Sequence, residues 1–275
     1  LLSLLLGACD KPTPGQDSKP ANEAAEKAEV ITPSWEAHIA DYPKRWIAAE
    51  APMYIRFTHP VISAAEVNTA FDPKQISLDT KTPVNLTFTS TTELRIAPIE
   101  RLPNDTKIRI RLRAKGLEGI EDSLDDFEFT VRTIKQDFDL RVNSLSVQED
   151  DEDLMQLSGA LTTADTANLD AVKKVLSIQV NGDATNTVWT QELDGKTHSF
   201  LVTDIQRGDA TGNIHLQWDG TALGSTDKGA RDLEIPAQKA FQITGVQVIR
   251  KPNTAIEIQF SDDLDSTQNL SGLVT

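Results

Sequence analysis

The chain has 275 residues and a formal charge of −15; 39% of its residues are hydrophobic and 25% charged. That length allows two domains of ordinary size plus further segments, and the hydrophobic share can bury real cores. The acidic balance excludes nucleic acid, whose phosphates need clustered Lys and Arg, and adsorption to anionic lipid by net charge alone. Its plainest consequence is solubility.

The single cysteine, Cys9, rules out an intrachain disulfide, a Cys-rich zinc site and a C-x-x-C redox pair. It follows Leu4-Leu5-Leu6-Gly7-Ala8, a run far short of the roughly 20 apolar residues that span a bilayer. Residues 1–8 therefore read as the remnant of a lipoprotein signal peptide. Leu6-Gly7-Ala8-Cys9 resembles the bacterial lipobox, in which small residues fit the peptidase and the thiol accepts diacylglycerol. Cys9 is thus the expected lipidation site, and the membrane a partner through that lipid. Asp10 resembles the signal for retention in the inner membrane, so the expected location is periplasmic, lipid-anchored to that membrane.

Residues 9–50 read as a lipid-anchored tether and capping segment. As far as about residue 32 the stretch is rich in Lys, Pro, Asp, Ala and Glu, and too poor in apolar side chains to offset its ordering entropy. Trp35, Ile39 and Tyr42 have helical spacing, but Pro43 interrupts it, so a short turn or broken helix is expected there.

From Met53 the period becomes two. Met53, Ile55 and Phe57 alternate with Tyr54, Arg56 and Thr58. Ile108, Ile110 and Leu112 alternate with arginines, and Phe127, Phe129 and Val131 with polar residues. With turn signals between the runs, residues 51–136 are expected to form an Ig-like β-sandwich.

A second sandwich is expected over 137–237. The acidic run from Gln148 to Asp153 marks a hairpin tip, Asn181-Gly182 a tight hairpin turn and Asp219-Gly220 another turn. Leu169 to Leu176 reads as one helical excursion. Phe138-Asp139-Leu140-Arg141-Val142 is echoed about 100 residues later by Phe241-Gln242-Ile243-Thr244-Gly245-Val246, an offset matching one sandwich domain. Residues 238–275 are accordingly expected to be the truncated start of a third macroglobulin-like domain. The fold class is all-β: tandem Ig-like or macroglobulin-like sandwiches behind a lipobox and a flexible tether.

Catalytic templates are absent from the sequence. There is no G-x-S-x-G elbow, H-E-x-x-H pair or phosphate-binding loop, and His38, His59, His198 and His215 are scattered singly. Each histidine is expected to face solvent or to be a satisfied structural residue, with His215 facing out. The four tryptophans, Trp35, Trp46, Trp189 and Trp218, are expected in cores. The acidic runs near Gln148–Asp153 and Asp262–Asp265 match no EF-hand loop and read as solvated. No catalytic residue, cofactor or metal is expected, and the chain is not expected to be an enzyme.

Several ordered stretches carry a family resemblance. Ile39-Ala40-Asp41-Tyr42-Pro43, then Ala51 to Phe57 and Pro60-Val61, are similar to the first Ig-like module of bacterial alpha-2-macroglobulin lipoproteins. Trp189, His198-Ser199-Phe200, Ile205-Gln206-Arg207 and Trp218-Asp219-Gly220 resemble that family's second module, and Phe260-Ser261-Asp262 with Leu264 the opening of the next. The resemblance implies a periplasmic protease trap whose bait region, and in many members a thioester, lie outside this chain. It implies that this chain is the anchor and membrane-proximal stalk of an endopeptidase inhibitor, with proteases as targets of the full-length protein. The alternative is an Ig-like repeat lipoprotein for adhesion or envelope scaffolding.

Overall fold

The computed structural model describes residues 33–148, 151–250, 252, 254–262, 264 and 267. It begins with one helical turn, α1 (Pro33–Glu36), which seats the indole of Trp35 in a fully buried position. The backbone then extends as β1 (Ile39–Asp41) and β2 (Trp46–Ile47). Trp35, Ile39 and Tyr42 do point inward together, but through a turn followed by a strand. Pairing of β1 with the strand at Met53–Phe57 satisfies the backbone there, while Pro43 cannot donate to a continued helix.

The first sandwich continues with β3 (Met53–Phe57), β4 (Ile76–Leu78), β5 (Val84–Ser90), β6 (Glu93–Pro98), β7 (Lys107–Leu112) and β8 (Phe127–Thr133). Its two sheets have the orders β1-β3-β6-β5 and β2-β8-β7-β4. Alternation sets which residues meet between them. Met53, Ile55, Phe88, Leu94, Ile108 and Phe129 are each at most 1% exposed. Phe57, Phe71, Phe88, Phe127 and Phe129 add ring contacts, and Tyr42 packs edge-on against Phe127 and Phe129 at 5.3 Å. Because β1 and β2 belong one to each sheet, this sandwich starts ahead of Ala51 and includes residues 39–47. Two strands of three and two residues are too short to display a period of two.

The second sandwich uses β9 (Phe138–Gln148), β10 (Asp151–Thr163), α2 (Leu169–Val172), β11 (Leu176–Val180), β12 (Asp183–Ala184), β13 (Val188–Gln191), β14 (Thr197–Gln206), β15 (Gly212–Asp219) and β16 (Lys228–Ile235). Its sheets are β13-β14-β10-β9 and β12-β11-β15-β16, enclosing Met155, Leu157, Phe200, Val202, Ile214 and Leu216. Asn181 and Gly182 both take positive φ between β11 and β12, as a two-residue hairpin turn demands. The helical excursion is shorter than expected. It stops at Val172, because Val175 and Leu176 are drawn into buried positions from which β11 pairs with β15. Asp219 does not make a tight hairpin but caps a 3-10 turn over Gly220–Leu223 by accepting from the Thr221 N–H.

Beyond it, β17 (Ile243–Ile249) and β18 (Ala255–Phe260) form a two-stranded antiparallel ribbon. Val246 opposes Ile258 and Val248 opposes Ile256, so these apolar residues share one face. Phe241, Ile243, Val246, Val248 and Ile256 are each 58–69% exposed.

Candidate functional site

The most connected polar constellation lies where the first sandwich meets the second. Thr163 ends β10, and Asp165 follows in the next turn with its side chain wholly buried. Its carboxylate accepts from the Ala49 N–H at 2.8 Å, the Thr166 N–H at 2.8 Å and the Arg101 guanidinium at 3.3 Å. Ala49 and Arg101 belong to the first sandwich, Asp165 to the second. Arg101 also donates to the Thr166 hydroxyl and pairs with Glu50, whose other oxygen accepts from Thr166.

Gln136, the linker residue, is 4% exposed and grips the same turn from below. Its amide oxygen accepts from the Asp165 N–H at 2.9 Å, and its nitrogen donates to the carbonyls of Asp165 and Thr166. Every oxygen of the buried carboxylate thus finds a donor, which a buried charge requires.

A second clasp of the same kind follows the second sandwich. Arg207 is almost fully buried and donates to the linker carbonyls of Pro236 and Ala237. It also donates two hydrogen bonds to Asp262, at 2.7 and 3.3 Å, in the fork geometry that suits a carboxylate. Asp262 follows β18 much as Asp165 follows β10. Hydrogen bonding to Arg207 holds its carboxyl below the usual carboxylate range, against the opposing effect of burial. At both junctions an arginine of one folded unit holds an aspartate just past the leading hairpin of the next.

The residues singled out in the sequence are distributed otherwise. Cys9, the expected lipidation site, lies outside the described residues, as do Glu149, Asp150, Asp263 and Asp265 of the acidic runs. Asp262, read as solvated, is instead the partner of Arg207. Asp153 is committed as well, accepting from the Gln238 amide.

His215 bonds the Asp232 carboxylate at 2.7 Å on the sheet exterior. His198 departs from expectation: it is fully buried, and neither ring nitrogen has a hydrogen-bond partner. Burial lowers its pKa, with Asp194 acting weakly in the opposite sense. Its position opposite Leu161 on β10 places it on the inner face, where strand pairing and not side-chain polarity decides orientation. His38 and His59 stack edge-on at 5.2 Å.

Trp35 is core, but Trp46 is 52% exposed, since β2 is an edge strand whose outward residue it is. Among the described residues, no three His, Cys, Asp or Glu side chains gather into a metal-holding group. An open cleft of about 240 Å³ lies between the edge strands β9 and β16, with Leu140, Trp218, Asp139, Asp227 and Arg231 in its lining. Its lining pairs no nucleophile with a base.

No family model and no curated protein matches the chain. Similar solved structures include an L,D-transpeptidase from Mycobacterium smegmatis, at 10% identity over 82% of this chain and 76% of that chain, with a TM-score of 0.26. L,D-transpeptidase 3 from Mycobacterium tuberculosis in complex with a faropenem-derived adduct is another, at 7% identity over 79% of each chain and a TM-score of 0.25. Likeness at this level carries no statement about activity.

The clasps were not foreseen from sequence. Arg101 and Asp165 stand in unremarkable polar stretches, while Arg207 and Asp262 fall in stretches that carry the family resemblance, which did not pair them. The echoed stretches Phe138–Val142 and Phe241–Val246 open the strand pair β9–β10 and the ribbon β17–β18, and an aspartate trails each pair.

Proposed function

We propose that this chain is the anchor and membrane-proximal stalk of a periplasmic alpha-2-macroglobulin-like protease inhibitor and is not itself an enzyme. The observation that carries the reading is the pair of arginine–aspartate clasps, each with one buried and one partly exposed member, which tie consecutive β-rich units together. A stalk must transmit position from its anchor to a distant working part. Hydrogen-bonded junctions suit that task better than bare flexible linkers. The order of motifs from Ile39 to Leu264 supports the same assignment.

Two measurements test it. Metabolic labelling with a fatty acid should mark the native protein and fail on Cys9→Ser; persistent labelling of the variant removes the anchor. The intact product of the native reading frame, mixed with a broad-specificity protease, should block cleavage of large protein substrates while sparing small peptide substrates. Unimpeded cleavage of both would leave adhesion or envelope scaffolding as the function.

A further inference from the structure

The chain is acidic as a whole, yet the outer face of one sheet is not. Residues directly opposite in a ladder share a face. In the sheet β2-β8-β7-β4, Trp46 pairs with Arg132, which opposes Lys107; Thr130 opposes Arg109; and Glu128 opposes Arg111. Arg113 continues the row just past β7, its guanidinium donating to the Lys74 carbonyl. The alternate residues Ile108, Ile110 and Leu112 are fully buried, so the cationic row faces outward.

Carboxylates lie among these cations, and the exposed Asp126 continues the β8 row as Arg113 continues that of β7. Glu128 pairs with Arg111 and Asp105 with Arg132, while Asp79 accepts from the Arg109 backbone N–H. Arg111 and Arg132 are taken up by these pairs, and Arg109 and Arg113 stand beside them with no carboxylate partner among the described residues. Beside these cations the exposed indole of Trp46 lies under the Arg132 guanidinium, 5.3 Å from ring centroid to carbon.

An accessible indole beside a guanidinium group, on a face with further arginines, has the chemistry of a membrane–water interface. The indole sits at headgroup depth, and the cations meet lipid phosphate. The net charge does not forbid this. At physiological salt, charges farther than about 8 Å from the contact are largely screened, so the facing sheet decides and the distant acidic modules do not.

We propose that the outer face of this sheet rests on anionic phospholipid headgroups, so that the first sandwich lies against the membrane surface. The inference builds on the anchored-stalk reading: the chain passes from the expected lipid site into this sandwich, and β2, carrying Trp46, is among its earliest strands.

Cosedimentation of the full chain carrying Cys9→Ser with vesicles tests the face without any lipid anchor. The protein should partition onto phosphatidylcholine vesicles containing phosphatidylglycerol, be released by salt, and ignore pure phosphatidylcholine. Adding Arg109→Glu and Arg111→Glu should weaken partitioning at least about tenfold, and Trp46→Ala should weaken it as well. Lys174→Glu, an exposed charge reversal on the second sandwich, should leave it unchanged. Unchanged thermal melting would show that the variants are folded.

Equal partitioning onto both lipids, none onto either, or equal losses in Lys174→Glu and the arginine variant would overturn the proposal. Retention by soluble dextran sulfate without vesicle binding would assign the face to an anionic glycan and overturn it too. Failure in this assay leaves the labelling of Cys9 untouched, and failed labelling leaves this assay interpretable, so the two readings fall separately.

Discussion

His198 carries a polar ring into the inner face of β14 with no partner for either nitrogen. Burial depresses its folded-state pKa below the ordinary histidine value. The folded protein therefore binds fewer protons than the unfolded chain once pH drops past about 6.5, the unfolded value. Its neutral form suits the fold above that pH, and stability is lost as pH falls from there towards the lowered folded value. His198→Leu should remove this acid-side loss, so its melting temperature should exceed that of the parent by a margin that widens from pH 8 to pH 5. A constant margin across that range would exclude titration of His198 as the cause.

At the same scale Asp165 is the opposite case, a buried carboxyl group with a donor to each oxygen. Asp165→Ala would leave the Ala49 N–H without its acceptor and should cost roughly 2–3 kcal/mol at the junction. Arg101 is partly exposed and would recover water, which limits the loss.

At the scale of elements, the long strands follow their own pattern. Met53–Phe57 shows strict buried–exposed alternation, and β7 and β8 behave alike along most of their length. The ribbon β17–β18 has an equally clear apolar face, but its Val246, Val248 and Ile256 remain exposed. A lone two-stranded ribbon is marginal in water. The isolated segment 240–275 should therefore show no cooperative thermal transition by circular dichroism, and a sigmoidal melt would contradict this. Within the intact chain, Val248→Asp should change stability by less than about 0.5 kcal/mol. Val202→Asp, which introduces a carboxylate at a fully buried site in β14, should prevent folding of the second sandwich.

For the molecule as a whole, the junctions govern how the units are joined. Lys135 is exposed beside the buried Gln136 in the first linker. Gln136 bonds the backbone of Asp165 and Thr166, and the Asp165 carboxylate docks that turn on Ala49 and Arg101 of the first sandwich, so the adjoining linker should resist a protease. Asp165→Ala should make the bond after Lys135 an early site of trypsin cleavage, releasing two fragments that each still melt cooperatively. If the parent and variant are cut there at equal rates, the clasp does not stiffen the junction.

Period-two alternation, the Asn181-Gly182 turn and the echo of Phe138–Val142 in Phe241–Val246 were legible in the chain itself. They rest on local chemistry: side-chain direction in a strand and the φ angles a turn demands. Those signals specify an all-β sandwich protein before any contact is known. They could not reveal that Ile39–Asp41 and Trp46–Ile47 join the first sandwich, since strands so short are recruited by ladders to distant partners. Nor could they show that His198 is buried, that Trp46 is exposed, or that Arg101 meets Asp165 and Arg207 meets Asp262. Pairings 64 and 55 residues apart leave no periodic trace, and only the packing of one folded unit on the next brings such charges within hydrogen-bond reach.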